Sequence, residues 1–319
     1  MSNLIEFVGR VSSFGLRVFG DGIRTPFEGA QILNHIIEAG YKSPPLVVPA
    51  GFALGTVMTL HTRNTLMTFG AGAMIPTVQA LAFFVEIGPL VAGLLLAGRV
   101  GSGIGAVLAN MRVTEQIDAI ESLSVDSFKF LVVPRVLACV VALPLLTLFM
   151  DFAGLLGGYL AEYSSSGASF SLYIRRAFTD LQWANFVAPT LKTAVFGFII
   201  GTVSSYFGYT TNMGAAGVGR AATNSVVVSS LMVILADVIL VKCIFFAFPE
   251  SACERTYGTG RRVRSGIQGF WAESCLAECV VLGSRGESPL HPGQERHGQE
   301  RDAETPHGVN QAGPGEHLG

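Results

Sequence analysis

The chain alternates long apolar runs with short polar segments, and five of the runs are long enough to cross a membrane. A helix needs about 20 mostly apolar residues to span the hydrocarbon core of a bilayer. The runs cover residues 45–72, 74–98, 136–161, 186–209 and 226–248. The pattern therefore predicts an all-α membrane protein with about five transmembrane helices.

Residues 1–44 differ from the apolar runs, because large apolar side chains alternate there with Arg and Lys. This mixture predicts one or two amphipathic helices lying at the membrane interface. A disordered arm is the alternative. The resulting division is an interfacial segment (1–44), a transmembrane domain (45–249) and a polar tail (250–319).

The composition agrees with a membrane protein. The chain is 50% hydrophobic and only 14% charged, whereas soluble domains carry about 25% charged residues. Lys and Arg in short loops favour the cytoplasmic side. They are concentrated in residues 1–44, in 99–135 and at Arg220. The N-terminus and residues 99–135 should therefore be cytoplasmic, and the chain should leave the fifth span on the far side.

A short acidic segment, residues 113–123, lies between the second and third runs. Thr114 can cap a helix there, which places Glu115 and Gln116 in the first turn, where negative charge is favoured. Ile117 and Ile120 fall on one stripe at helical spacing. A helix of about ten residues is marginal alone and must dock against something. It either packs on its own bundle or offers a surface to a cytoplasmic partner.

Several motifs in register resemble one family. They are EIGP at residues 86–89, AGRVG at 97–101 and TEQI at 114–117, followed by GAAGVGRAATNSVVVSSLMVILADVILVK at 214–242. These stretches resemble the MlaE/YrbE permeases, which are subunits of bacterial ABC transporters that act on lipids together with MCE-domain proteins. The resemblance covers about residues 10–248.

The resemblance implies a multi-pass protein of the bacterial inner membrane that is a transport subunit and not itself an enzyme. Its implied partners are a second copy of itself, a cytoplasmic ABC ATPase, an MCE-domain protein and a membrane lipid, with no nucleic acid. ATP and Mg would be bound by the ATPase, leaving no cofactor in this chain. In that family the TEQ segment is the coupling helix that enters a groove on the ATPase. The matching residues here are Thr114, Glu115, Gln116, Ile117 and Asp118.

Ionisable residues inside a bilayer are costly and mark functional candidates. By resemblance, His61, Arg63 and Glu86 would line a lipid-headgroup site. Many relatives have Arg just before this Glu, where this chain has Val85, so the headgroup contact would be weaker or supplied by Arg63. Alternatively, Glu86 only bonds backbone groups freed at a kink near Pro89.

Three further charges in the runs have structural interpretations. Arg99 ends the second run and either snorkels to the interface or forms an ion pair. Asp151 and Asp237 should face the bundle interior and pair with Lys192 or Lys242. The glycines of the same region, at positions 98, 101, 103 and 105, are expected to allow close helix packing.

Residues 1–250 have no nucleophile motif, no phosphate-binding loop and only two histidines, His35 and His61, so neither catalysis nor a metal site is predicted. Without the family resemblance, an ion-coupled carrier or a non-catalytic membrane scaffold would remain. Either would have to work without an ATPase partner.

The tail, residues 250–319, has the composition of a disordered extension. A second hypothesis is that it is translated out of frame. Codons for GQERHGQER, residues 293–301, permit Gly-Lys-Ser-Gly-Thr-Gly-Lys-Ser when read one nucleotide later. That sequence is the phosphate-binding loop of an ATPase.

Overall fold

The computed structural model describes residues 2–23, 29–179, 181, 183–211 and 214–247, and every regular element within them is helical. Two N-terminal helices come first, α1 (Ser2–Ile23) and α2 (Gly29–Lys42). Five long helices follow: span 1 (Pro44–Thr68), span 2 (Gly72–Val113), span 3 (Ser127–Ser166), span 4 (Trp183–Tyr209) and span 5 (Ala215–Ala247). The loop helix (Gln116–Ser122) follows span 2, and the connecting helix (Phe170–Thr179) follows span 3. The predicted all-α class and the five spans are confirmed.

Span 3 is the central helix of the bundle. It begins where the Asp126 carboxylate accepts hydrogen bonds from the backbone N–H groups of Phe128 and Lys129, and it ends at Gly167, whose φ of +66° is left-handed. Spans 1 and 4 and helix α2 pack along it. The largest cluster of buried apolar side chains joins all five spans and includes Val47, Phe83, Leu146, Phe196 and Val233.

Small residues let these helices approach closely, as is usual in membrane bundles. A Cβ on Gly55 would lie 2.0 Å from the Gly154 carbonyl oxygen of span 3. On span 2, a Cβ on Gly105 would meet the Ser225 hydroxyl of span 5 at 2.3 Å, and one on Gly101 would meet the Ser204 hydroxyl at 2.9 Å. The packing expected of these two glycines is confirmed. Positions 98 and 103 have open space instead.

Span 2 is longer than the apolar run that predicted it. The run stops at residue 98, but the helix continues through Gly-rich sequence to Val113. Arg99 therefore lies within the helix, about 20 Å from its end, and the expectation that it terminates span 2 was wrong. Span 3 likewise begins at Ser127, so Lys129 and Arg135 are helical residues and not loop residues. The hydropathy pattern located the apolar centre of each helix, but it missed the more polar turns that extend span 2 at its C-terminal end and span 3 at its N-terminal end.

The two-helix form of the N-terminal segment agrees with the prediction for residues 1–44. The tail from residue 248 onward lies outside the described residues, and with it both hypotheses about residues 250–319.

Candidate functional site

Span 2 contains two π-helical segments, and each carries one of the charged residues singled out from the sequence. The first is Phe83–Ile87, which contains Glu86, and the second is Ala97–Gly101, which contains Arg99. In the first, the Gly88 N–H donates to the Phe83 carbonyl, five residues back. Pro89 follows and has no N–H to donate, so the regular pattern cannot continue unchanged. The irregularity expected near Pro89 thus takes the form of a π turn, a feature that is frequent at functional sites.

Glu86 belongs to a charged centre that links spans 2, 4 and 5. The Lys192 ammonium lies 3.1 Å from Glu86 Oε2 and 3.0 Å from Asp237 Oδ1. The side chains of Lys192 and Asp237 are 2% and 7% exposed, whereas that of Glu86 is 40% exposed. The predicted pairing of Asp237 with Lys192 is confirmed. Glu86 is thus the member of this centre that a ligand at the surface of the chain can reach.

Asp151 forms no such pair. It is 1% exposed, and its Oδ1 has no hydrogen-bond partner among the described residues. The carboxylate presses against Gly88, where a Cβ would lie 1.8 Å from Oδ1. The predicted pairing of Asp151 with Lys192 or Lys242 is not found in the structure, because Lys192 is already shared by Glu86 and Asp237.

Arg63 forms a separate ion pair toward the other end of the bundle. Its Nη1 lies 2.9 Å from Glu162 Oε1 of span 3, and its Nη2 donates to the Ser165 carbonyl at 3.3 Å. His61, two residues earlier, is exposed. No hydrogen bond or ion pair within the described part of the chain joins Glu86 to His61 or Arg63. Of the three residues predicted to share a headgroup site, Glu86 and Arg63 therefore lie in two different charged clusters, and the exposed His61 lies in neither.

A buried polar network around Gln79 was not predicted from the sequence. Gln79 Oε1 accepts hydrogen bonds from the hydroxyls of Thr59 and Tyr173, and Nε2 donates to the carbonyls of Gly55 and Gly154. Burial and then the nearby Glu162 carboxylate raise the pKa of Tyr173 well above its usual value. A lone Gln in an apolar run is the available signal, since polar side chains in membrane helices tend to bond across helices.

The loop helix begins later than predicted and is shorter. Thr114 does not cap it. The Thr114 hydroxyl instead donates to the Asn110 carbonyl at the end of span 2. Glu115 precedes the helix with φ +59°, a left-handed conformation that is uncommon for residues other than glycine. The helix itself has seven residues, Gln116–Ser122.

The apolar stripe of the loop helix docks on its own bundle. Ile117 is fully buried against Leu108 of span 2 and Leu131 of span 3, with Ile120 packed beside it. This is the docking that so short a helix requires, so Ile117 is an anchor that no partner can contact directly.

The acids of the loop helix differ in how far they are already engaged. Asp118 pairs with Arg112 at 2.6 Å. Glu121 accepts from the hydroxyls of Ser127 and Tyr209, and these bonds lower its pKa. Glu115 and Gln116 are exposed, and Glu115 forms no ion pair or side-chain hydrogen bond with the residues that the structure describes. Of the five residues predicted to couple to an ATPase, Glu115 and Gln116 are exposed and without a side-chain ion pair among the described residues.

Comparison with known proteins identifies a family for this chain. The family model described as Permease MlaE matches residues 32–243. A "Probable ABC transporter permease protein" of Rickettsia bellii is 38% identical over 242 residues, which cover 76% of this chain and 93% of the relative. A similarly named protein of Synechocystis is 36% identical over 194 residues, covering 61% and 73% of the two chains.

A plant protein is also similar. The Arabidopsis thaliana protein TRIGALACTOSYLDIACYLGLYCEROL 1, chloroplastic, is 33% identical over 208 residues, or 65% of this chain and 59% of that protein. The region matched by the family model, residues 32–243, contains spans 1 to 4, most of span 5, both π segments and the loop helix. This multi-pass membrane protein therefore belongs to the MlaE permease family of ABC transporter permeases.

Proposed function

We propose that the chain is the permease subunit of an ATP-driven transporter that moves a phospholipid or related lipid between membranes. It would act as a homodimer, with a cytoplasmic ABC ATPase on each copy and an MCE-domain protein as the lipid-exchanging partner, in a bacterial inner membrane. The observation that carries the proposal is the loop helix, whose apolar side is locked to the bundle while Glu115 and Gln116 stay exposed. Such a rigid, polar projection suits an ATPase groove.

The attachments of the loop helix support a route for mechanical coupling. Ile117 packs on spans 2 and 3, and Asp118 is tied to Arg112 near the end of span 2. A force applied to the loop helix by an ATPase would therefore act on span 2. That span carries both π segments, and with them Glu86. ATP binding by the partner would move the helix whose charged residue faces the lipid.

A lipid substrate is supported by the mixture of apolar surface and accessible charge. Glu86 is partly exposed among apolar neighbours, and we propose that His61, Arg63 and Glu86 line the path of the headgroup. Arg63 would then exchange its contact with Glu162 for the headgroup. The Arabidopsis relative is named after a galactolipid, which is consistent with this substrate class.

One observation favours a second candidate function, an ion-coupled carrier. Intramembrane charge networks are typical of proton and ion pathways, and Glu86, Lys192 and Asp237 form one across three spans. Such a carrier would move its substrate under an ion gradient alone. An ABC permease would require ATP and its ATPase.

The test is reconstitution in liposomes with a candidate ABC ATPase, with ATP hydrolysis, lipid movement and co-purification as readouts. Glu115→Lys is expected to abolish co-purification and lipid-stimulated hydrolysis, because it reverses an exposed charge without touching the docked face. Glu6→Lys, which reverses an exposed acid on α1, is the matched control and should behave as wild type. Lipid movement that needs no ATPase, or a Glu115→Lys protein that still couples, would contradict the proposal.

A further inference from the structure

A second polar site lies apart from the charged centre at Glu86. Helix α2, span 2 and span 3 enclose a cavity of about 310 Å³, which is at the lower end of the sizes usual for small-molecule sites. Its ionisable lining consists of His35, Glu38 and Lys42 from α2, Arg99 from span 2 and Arg135 from span 3. We refer to it as the basic cavity.

The charges of the basic cavity do not balance. Glu38 is its single acid among the residues that line it, and it is paired with Lys42 at 2.7 Å. Arg135 Nη1 donates to the Leu131 carbonyl of its own helix at 2.5 Å, and the buried Nη1 of Arg99 has no hydrogen-bond partner within the described chain. A guanidinium cannot lose its proton in a protein. Lys42, Arg99 and Arg135 therefore face the cavity with Glu38 as the single carboxylate in its lining, an excess of two cationic groups.

The position of the cavity along the bundle matches a membrane surface. Lys42 comes immediately before span 1, which begins at Pro44. The part of span 2 from Gly72 to Arg99 is about 40 Å long, which is sufficient to cross the roughly 30 Å hydrocarbon core. Lys42 and Arg99 therefore fall where the helices leave the hydrocarbon, at the level of lipid headgroups. The rest of span 2 extends beyond that level.

An open apolar cleft adjoins the basic cavity. It has a volume of about 770 Å³ and shares Lys42 and Arg99 with the cavity. The rest of its lining, which includes Tyr41, Pro45 and Val48, comes from the end of α2 and the start of span 1. A ligand with an anionic head held near Lys42 and Arg99 could therefore extend an apolar chain from the cavity into the cleft.

We propose that the basic cavity binds the phosphate group of an anionic amphiphile, with Arg99 and Arg135 as its principal ligands. The planar guanidinium group presents paired donors that match phosphate oxygens, and basic pockets between membrane helices are suited to anionic headgroups. The second π segment, Ala97–Gly101, positions Arg99 at this site, as the first positions Glu86 at the charged centre. The site is separate from the headgroup path proposed above and does not depend on transport.

Thermal unfolding of the purified full-length chain in a neutral detergent tests the proposal. Phosphatidylglycerol is expected to raise the melting temperature progressively as its concentration exceeds its Kd, and phosphatidylcholine is not. Inorganic phosphate forms a separate arm: protection by both phosphate and phosphatidylglycerol indicates a site for the phosphate group alone, whereas protection by the lipid only shows that the chain in the cleft is required.

Two variants that disrupt the cavity in different ways separate a loss of binding from a loss of folding. Arg99→Gln with Arg135→Gln removes the cations, and Gly103→Leu fills the cavity without changing its charge, since a Cβ at Gly103 meets nothing within 4 Å. Both should weaken phosphatidylglycerol binding by roughly tenfold or more, because charge-assisted hydrogen bonds are lost or blocked. Arg175→Gln with Arg176→Gln removes the same charge from the exposed connecting helix and should bind as wild type. Wild-type binding by both cavity variants, or no preference for phosphatidylglycerol, would overturn the proposal.

Discussion

Replacing Lys192 with Met should destabilise the protein strongly, because the change leaves two carboxylates without their shared cation. Lys192 is 2% exposed on its side chain and lies within 3.1 Å of both Glu86 and Asp237. Removing one partner of a buried pair costs about 3–5 kcal/mol. For a chain of 319 residues, at about 2 °C per kcal/mol or slightly less, that corresponds to a fall in melting temperature of about 5–10 °C. Lys129→Met, at a half-buried lysine outside the centre, should change it little.

The magnitude follows from Asp237 more than from Glu86. Asp237 is 7% exposed, and Lys192 is its one ion-pair partner among the described residues, so the substitution leaves its carboxylate buried and unpaired there. Glu86 is 40% exposed and can be solvated. Adding Asp237→Leu to Lys192→Met should therefore restore much of the stability, to within about 1.5 kcal/mol of wild type. Melting of the detergent-solubilised proteins, followed by intrinsic fluorescence, measures all four members of this double-mutant cycle. A Lys192→Met protein as stable as wild type, or strictly additive substitutions, would refute the reasoning.

Two further predictions concern the packing of span 2 and the basic cavity. Gly88→Ala should destabilise the protein by about 1–3 kcal/mol through overpacking, because its Cβ would meet the buried Asp151 carboxylate. Gly103→Ala should instead stabilise it by up to about 1 kcal/mol through helix propensity. Melting curves of the two variants test both signs. Burial and then the Arg135 guanidinium lower the pKa of His35, so the unfolded chain binds that proton more readily and stability falls as the pH drops below about 6.5. His35→Gln should therefore flatten the dependence of melting temperature on pH between 7.5 and 5.5, and an unchanged profile would contradict the assignment.

The sequence was sufficient for the helices, because hydropathy is a property of each segment alone. Five apolar runs gave five spans, and the mixed pattern of residues 1–44 gave two helices. The extension of span 2 to Val113 was missed because its last turns are rich in Gly, Ala and Ser and become helical by packing on spans 4 and 5. The π segments were missed for a similar reason, since no residue type specifies an i→i−5 bond.

The site was harder to predict, because its contacts join residues far apart in the chain. Lys192 could be proposed as a partner of Asp237, with Lys242 as the alternative, since each of these charges lies in an apolar run. Glu162 was overlooked as the partner of Arg63, since it lies near the end of an apolar run, where charge is ordinary. Residue type alone predicts Thr114 as a helix cap, but its hydroxyl donates to the Asn110 carbonyl at the end of span 2 instead. Competition between neighbouring helix ends is not visible in a local pattern.

The tail, residues 250–319, can be tested on the DNA without any protein. The family match ends at residue 243, and a reading of residues 293–301 shifted by one nucleotide permits a phosphate-binding loop. An ABC permease needs an ATPase partner. If the gene for that partner lies directly downstream, a single frameshift near codon 250 would explain both observations. We predict that re-reading the locus from codon 240 reveals a displaced nucleotide and a continuous ATPase frame. If the reading frame is intact and no ATPase follows, the tail is a translated extension of the fifth span, and its deletion should then alter the behaviour of the permease.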